Sequence, residues 1–265
     1  MSKAYLYSDE KLQYVSEVKE ALVDGCDECG GTGYVSAGRG QAYRCDCMIA
    51  FRYIKELIKA NVPKSYWTLE LAQIKVSKAA KEAVLDYIKH LDNAISRGLG
   101  FTFAGPNGVG KTSLMMVLAK EAIIRNIPVR CFTMPEYLAA VERGRVDQID
   151  DYEAGDLLLV DELDKRYSKP GSDYVSTRVD QIIRSFLSAG KSVVIATNWS
   201  RQQLKEFSTS VASLLERHNQ VIEMKGQDYS KVVEEQFFKR LHTPFDLKHR
   251  AIMKAAYRRE GIIHG

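Results

Sequence analysis

Short apolar runs recur through the second half of the chain, separated by longer stretches in which apolar positions return every three or four residues. The runs at 100–104 (GFTFA), 129–133 (VRCFT), 157–160 (LLLV), 192–197 (SVVIAT) and 221–224 (VIEM) are too short for helices, and most are rich in Val, Leu and Ile; they are candidate strands. The stretch 113–122 (SLMMVLAKEA) reads as a helix following the first run. From residue 78 onward this alternation predicts a parallel sheet in an α/β domain. Upstream, Leu12, Val15, Val18 and Leu22 recur at helical spacing after a possible N-cap at Ser8. A second helix is expected over 49–60, ending before Val62-Pro63 because proline disfavours its continuation. Near the other end, 246–259 reads as an amphipathic helix with Arg250, Lys254 and Arg258 on one side.

This pattern divides the chain into a small amino-terminal unit (1–62), a linker (63–77), an α/β core (78–230) and a basic tail (231–265). The length of 265 residues accommodates a core of roughly 150–200 residues plus an appendage. Net charge is only +4, and residues 231–265, with eight Lys/Arg against four acids, account for all of it. No apolar run approaches the roughly 18 residues needed to span a bilayer. The polar start Met1-Ser2-Lys3-Ala4-Tyr5 lacks the apolar centre of a signal peptide, so a cytoplasmic protein is expected. In that reducing setting, paired cysteines point to metal binding or redox chemistry before structural disulfides.

Four of the five cysteines form two close pairs, Cys26-x-x-Cys29 and Cys45-x-Cys47, fifteen residues apart. Thiolates suit zinc, and Gly30-Gly31-Thr32-Gly33 allows the backbone to turn tightly about a metal. Four thiolates leave no open coordination position, which favours a structural role. A redox pair is the rival, but it leaves the second pair unexplained. Four unliganded cysteines are the other alternative, although a segment this poor in apolar residues could hardly fold without a staple. A helix, a zinc knuckle and a second helix make a unit sized for docking a partner, or else a stabilising cap on the core. Cys131, inside an apolar run, is expected to be a buried strand residue.

Residues Gly105, Pro106, Asn107, Gly108, Val109, Gly110, Lys111 and Thr112 fit G-x-x-x-x-G-K-T, with Ser113 next at the start of the expected helix. Glycines let backbone N–H groups converge on phosphate oxygens, Lys111 would reach the β- and γ-phosphates, and Thr112 would ligate Mg2+. The strand before and helix after place that loop at a helix N-terminus, which attracts anions. Some fifty residues later, 157–160 delivers Asp161 and Glu162 at the carboxyl end of a buried strand, the pattern called Walker B. Asp161 would hold Mg2+ and Glu162 would polarise the attacking water; a simple helix cap is the alternative for such a pair. Asn198, at the tip of the fourth run, would orient that water beside the γ-phosphate, or else serve turn chemistry.

Together the Asp-Glu pair, the intervening strand and Asn198 resemble the AAA+ branch of the P-loop ATPases. That resemblance implies a pocket for the base, ATP sites between subunits and oligomers that change shape on hydrolysis. The chain further resembles phage and Gram-positive helicase loaders of the DnaC/DnaI type. Residues 26–34 (CDECGGTGY) with 44–47 (RCDC) are similar to their zinc segment, and 60–66 (ANVPKSY) to the connector before their ATPase core. The 105–112 loop, Asp161-Glu162, 196–200 (ATNWS) followed by Leu204, and 226–229 (GQDY) then come in that family's order. The family usually follows the last motif with Arg, whereas this chain has Ser230 and then Lys231. The resemblance also implies an arginine finger supplied by a neighbouring subunit, for which Arg217 is the first candidate and Arg166 and Arg184 the others.

The function so implied is ATP-driven loading of a replicative hexameric helicase onto single-stranded DNA, with partner docking through the amino-terminal unit and self-association through the ATP sites. Tyr167, Lys169 and Tyr174 could supply stacking and charge for the strand, or form a solvated loop; the same choice holds for the basic face of 246–259. An IstB-type transposition ATPase shares the same core but usually lacks the cysteines. A nucleotide-gated adaptor with little turnover is the third reading, against which Glu162 and Asn198 argue.

Overall fold

The computed structural model describes residues 9–164, 173–226 and 245–262. Ser8, Arg166, Tyr167, Lys169, Ser230, Lys231 and most of the 226–229 motif lie outside the described residues. Among those described, seven strands are found: β1 (Tyr34–Gly38), β2 (Gln41–Arg44), β3 (Gly100–Ala104), β4 (Val129–Thr133), β5 (Leu157–Asp161), β6 (Ser192–Thr197) and β7 (Asn219–Glu223). The first two form an antiparallel ribbon, and the other five a parallel sheet in the order β4-β5-β6-β3-β7.

The strand runs are buried on both faces, which is why they read as continuous apolar runs rather than alternating ones. Phe101, Phe103, Leu157, Leu159, Val194 and Ala196 face one core, and Leu158, Val160, Val193 and Ile195 the other. The last strand begins at Asn219 and ends at Glu223, earlier than its apolar residues suggest. The cause is hydrogen bonding: buried Asn219 gives its side-chain N–H groups to the carbonyls of Phe101 (2.9 Å) and Val193 (3.0 Å). A polar residue thereby takes a place inside the sheet that apolarity would not predict.

In chain order the α-helices are α1 (Asp9–Lys19), α2 (Asp46–Lys59), α3 (Lys78–Lys89), α4 (Leu91–Ser96), α5 (Lys111–Ile124), α6 (Met134–Glu142), α7 (Val146–Glu153), α8 (Asp173–Ser188), α9 (Arg201–Phe207), α10 (Thr209–His218) and α11 (Arg250–Arg259). Helix α5 is buried almost all round, packing on the sheet on one side and on α2, α3 and α11 on the other. Helices α6 to α10 contribute to the opposite core. The expected first helix stops at Lys19, and Leu22 is carried by a π-turn over Glu20–Asp24. Helix α2 starts before 49, because Cys45 and Cys47 belong to its N-terminus.

The amino-terminal helices share one hydrophobic core with α5 and one face of the sheet. Helix α2 buries Ala50, Tyr53, Ile54 and Leu57, and the carbonyl of Ala60 just after it accepts the backbone N–H of Cys131 on edge strand β4 at 2.8 Å. Cys131 itself is buried. Trp67 in the connector is 2% exposed and donates its indole N–H to the Val62 carbonyl at 2.9 Å. Lys120 of α5 reaches back to donate to the carbonyls of Trp67 and Leu69. Helix α11, four residues shorter at its start than the sequence suggests, wedges between α2 and α5. Its Arg258 is committed to Glu121 of α5 through two hydrogen bonds of 3.0 and 3.2 Å, so it does not belong to an open basic face.

Candidate nucleotide site and thiol cluster

The loop 105–110 crosses from the end of β3 to the start of α5. Gly105 has φ +152°, and a Cβ there would lie 2.2 Å from the Met224 carbonyl oxygen. Gly108 and Gly110 have φ +77° and +90°, the left-handed region in which side chains are strained. The glycines are thus required by backbone shape as well as by phosphate access. Pro106, Asn107 and Val109 complete the loop, Val109 pointing into the core at 2% exposure. Thr112 and Ser113 stand in the first turn of α5.

The sheet order brings three strand ends together beside this loop. Strand β6 lies between β3 and β5, so Asn198 sits between the loop and the Asp161-Glu162 pair. The Lys111 ammonium donates to the carbonyls of Gly105 (2.8 Å) and Pro106 (2.7 Å) and to Asn198 Oδ1 (2.8 Å). Thr112 Oγ1 donates to Asp161 Oδ2 at 2.7 Å. Two oxygens ligating Mg2+ at adjacent octahedral corners would be about 2.9 Å apart, so this pair fits the ion. Burial raises the Asp161 carboxyl above the usual range, opposed by the Thr112 hydroxyl and the Glu162 N–H. Burial likewise lowers the Lys111 ammonium, opposed by Asp161 and Asp164. Phosphates beside Lys111 and a divalent cation beside Asp161 would each favour the charged form.

Glu162 follows the strand with φ +55°, and its N–H is held by Asp161 Oδ1 at 2.8 Å. A non-glycine residue in this region costs on the order of 1–2 kcal/mol, a strain that functional turns commonly carry. Leu163, 2% exposed, donates its N–H to the Ala196 carbonyl at 3.2 Å and ties the turn to β6. Asp164 then accepts three hydrogen bonds, from Asn198 N (2.7 Å), Asn198 Nδ2 (2.8 Å) and Thr197 Oγ1 (3.3 Å). Asp164 is absent from the residues singled out by sequence. Its only signal there is a third carboxylate two positions after Glu162.

Of the candidate arginines, Arg217 and Arg184 lie on other helices. Arg217 is exposed on the last turn of α10. Arg184 of α8 is engaged by Asp180 at 2.8 Å and by Ser210. Tyr174 falls on the first turn of α8.

At the amino terminus Cys26, Cys29, Cys45 and Cys47 bring their sulfurs within 4.8 Å of one another. Cys26 and Cys45 are 3.9 Å apart, Cys29 and Cys47 3.5 Å. Tetrahedral zinc with bonds of about 2.3 Å would space its sulfurs by about 3.8 Å, so the donor set and its geometry fit the metal. The Gly33 N–H points at Cys29 Sγ from 3.2 Å, and Cys45 and Cys47 sit at the N-terminus of α2, both favourable to thiolates. Burial pushes the Cys45 and Cys47 thiols up, the neighbouring thiols adding to the effect at Cys47. A divalent cation at the centre would reverse that.

Residues 101–220 match the family described as "ATPase family associated with various cellular activities (AAA)". No curated protein sequence matches the chain. Among solved structures, the fold is similar to the DnaC helicase loader (21% identity over 62% of this chain and all of that one, TM-score 0.51). It is also similar to domain III of the Thermotoga maritima replication initiation protein DnaA (19% identity, 76% of this chain and 87% of that one, TM-score 0.51). A third likeness is to the replication initiator DnaA bound to AMPPCP and single-stranded DNA (20% identity, 76% and 64%, TM-score 0.50). Among the described residues no helix is long and apolar enough to cross a membrane. The parallel sheet, the glycine-rich loop and the family match together give residues 101–220 an AAA+ P-loop fold, similar to that of the DnaC helicase loader.

Proposed function

We propose that the protein is an ATP-dependent loader that places a replicative hexameric helicase on single-stranded DNA. Within that reading, residues 105–113 hold the triphosphate, with Lys111 on its terminal phosphates and Thr112 and Asp161 around Mg2+. Bound Mg2+ supplies charge neutralisation for the phosphates. Glu162 takes the proton of the attacking water, and Asn198 holds that water in line. Arg217 acts on the site of a neighbouring subunit, so that hydrolysis depends on assembly. Residues 1–62 dock the helicase, their shape kept by zinc on the four cysteines, with 63–77 joining them to an ATPase core over 78–230 and a basic tail over 231–265.

The observation that carries this reading is the pairing, on one chain, of two assemblies: a glycine-rich loop converging with Asp161, Glu162 and Asn198, and a four-thiol cluster at the start of the helix whose far end bonds edge strand β4. The DnaC and DnaA likenesses support the choice of replication partners. The test is transfer of a purified hexameric helicase to a closed circle of single-stranded DNA, which requires the ring to be opened. Transfer that depends on both this protein and ATP is the expected result. Capture of a transposase from the native host, with no helicase transfer, would decide for the transposition ATPase instead.

A further inference from the structure

Asn198 lies between a group that can only donate and one that, ionised, can only accept. The Lys111 ammonium has no lone pair, and it approaches Asn198 Oδ1 to 2.8 Å. The Asp164 carboxylate has no proton, and it approaches Asn198 Nδ2 to 2.8 Å while also taking the Asn198 backbone N–H at 2.7 Å. The amide therefore has one orientation, oxygen toward the phosphate loop and nitrogen away from it. Of the two neighbours, Lys111 must leave Asn198 to engage phosphates, whereas Asp164 is anchored through buried Leu163 and its bond to Ala196.

We propose that Asp164 is the positioning residue that sets Asn198, keeping its amide oxygen turned to accept a hydrogen bond from the attacking water when Lys111 moves onto the nucleotide. The proposal rests on the phosphate-loop reading above and adds to it a residue that acts through Asn198. It makes a specific statement about turnover. The water that Asn198 orients matters to hydrolysis and not to nucleotide binding, so loss of Asp164 slows turnover and spares the binding of either nucleotide.

The test is steady-state ATP turnover, with direct binding of ADP and of a non-hydrolysable ATP analogue, each with Mg2+, in the full chain and in Asp164→Asn, Asn198→Ala and the double variant. Asp164→Asn keeps the size of the side chain but leaves one oxygen where two now accept the backbone and side-chain N–H groups of Asn198. The expected result is a fall of about tenfold in kcat in both single variants, with KM and the affinities for both nucleotides kept within about twofold. The double variant should turn over as Asn198→Ala does, since the two residues act as one unit. An unchanged kcat in Asp164→Asn, additive losses in the double variant, or a parallel loss of nucleotide binding would overturn the proposal. Thermal melting of Asp164→Asn within a few degrees of the parent checks the fold, and a collapse there would mark Asp164 as structural and overturn it as well. A parent chain that binds neither nucleotide removes the phosphate-loop reading itself, and this inference with it.

Discussion

The backbone N–H of Cys131 donates to the carbonyl of Ala60 across 2.8 Å. One residue belongs to the edge strand of the parallel sheet, and the other closes the helix that starts at the second cysteine pair. An edge strand offers unpaired backbone groups to other chains, and here the end of α2 covers part of that edge. Removal of residues 1–62 should therefore unmask β4 and promote self-association of the remaining core. Light scattering of the truncated chain against the full one checks this, and an equally monodisperse core would count against it.

Metal loss should act through the same helix. Elemental analysis of the purified protein is expected to give about one zinc per chain, because four thiolates at these spacings complete one tetrahedron. Cys47→Ser, or chelation, should lower thermal stability and speed amide exchange at Cys131, whose partner sits at the far end of α2. A metal-free protein with full stability would remove the zinc assignment.

Lys111→Ala removes the ammonium that gathers the loop carbonyls and Asn198. Nucleotide affinity should fall by about a hundredfold or more, since charge-assisted contacts to phosphate are lost together. Isothermal titration with ATP measures it, and unchanged affinity would sink the phosphate-loop assignment.

Glu162→Gln should leave ATP bound but slow its hydrolysis by about 10²-fold or more, the usual contribution of a general base. The left-handed backbone of Glu162 is unaffected by this exchange, so stability should be retained. Turnover equal to the parent would exclude Glu162 as the water activator.

Glu260, with a side chain 7% exposed, gathers Arg44 (2.5 Å) and Arg52 (2.9 Å) from the amino-terminal unit and Arg259 (3.4 Å) from its own helix. Glu260→Gln should cost about 1–2 kcal/mol, less than a fully buried pair because Arg44 and Arg52 are partly exposed. Denaturant unfolding and exchange rates over α11 report it. Unchanged values in both would mean that α11 is held without Glu260, by buried Ile252 and Ala256 and by the Arg258–Glu121 pair.

The elements of the core were legible in the sequence wherever burial on two faces forced continuous apolar runs. Strands 100–104, 129–133 and 192–197 coincide with the observed bounds. The start of β7 was not legible, because Asn219 enters the sheet by satisfying three acceptors rather than by being apolar. Nor was the start of α2, where Cys45 stands at the N-cap without a side-chain capping hydrogen bond. The phosphate loop could be read because its glycines answer to local backbone shape, which a short motif records.

By itself, then, the sequence determined the local chemistry of this protein: a loop for phosphates, an acidic strand end, four clustered thiols and the alternation of strand and helix. These follow from periodicity and from residue types at fixed short spacings. Only the tertiary structure decided that β6 lies between β3 and β5, which puts Asn198 between Lys111 and Asp164. Only the tertiary structure placed Ala60 on β4 and Arg258 on Glu121. Strand order and the packing of α2 and α11 on α5 depend on contacts between residues tens to more than a hundred positions apart. Their energies come from shape and from paired charges in three dimensions, which leave no periodic trace along the chain.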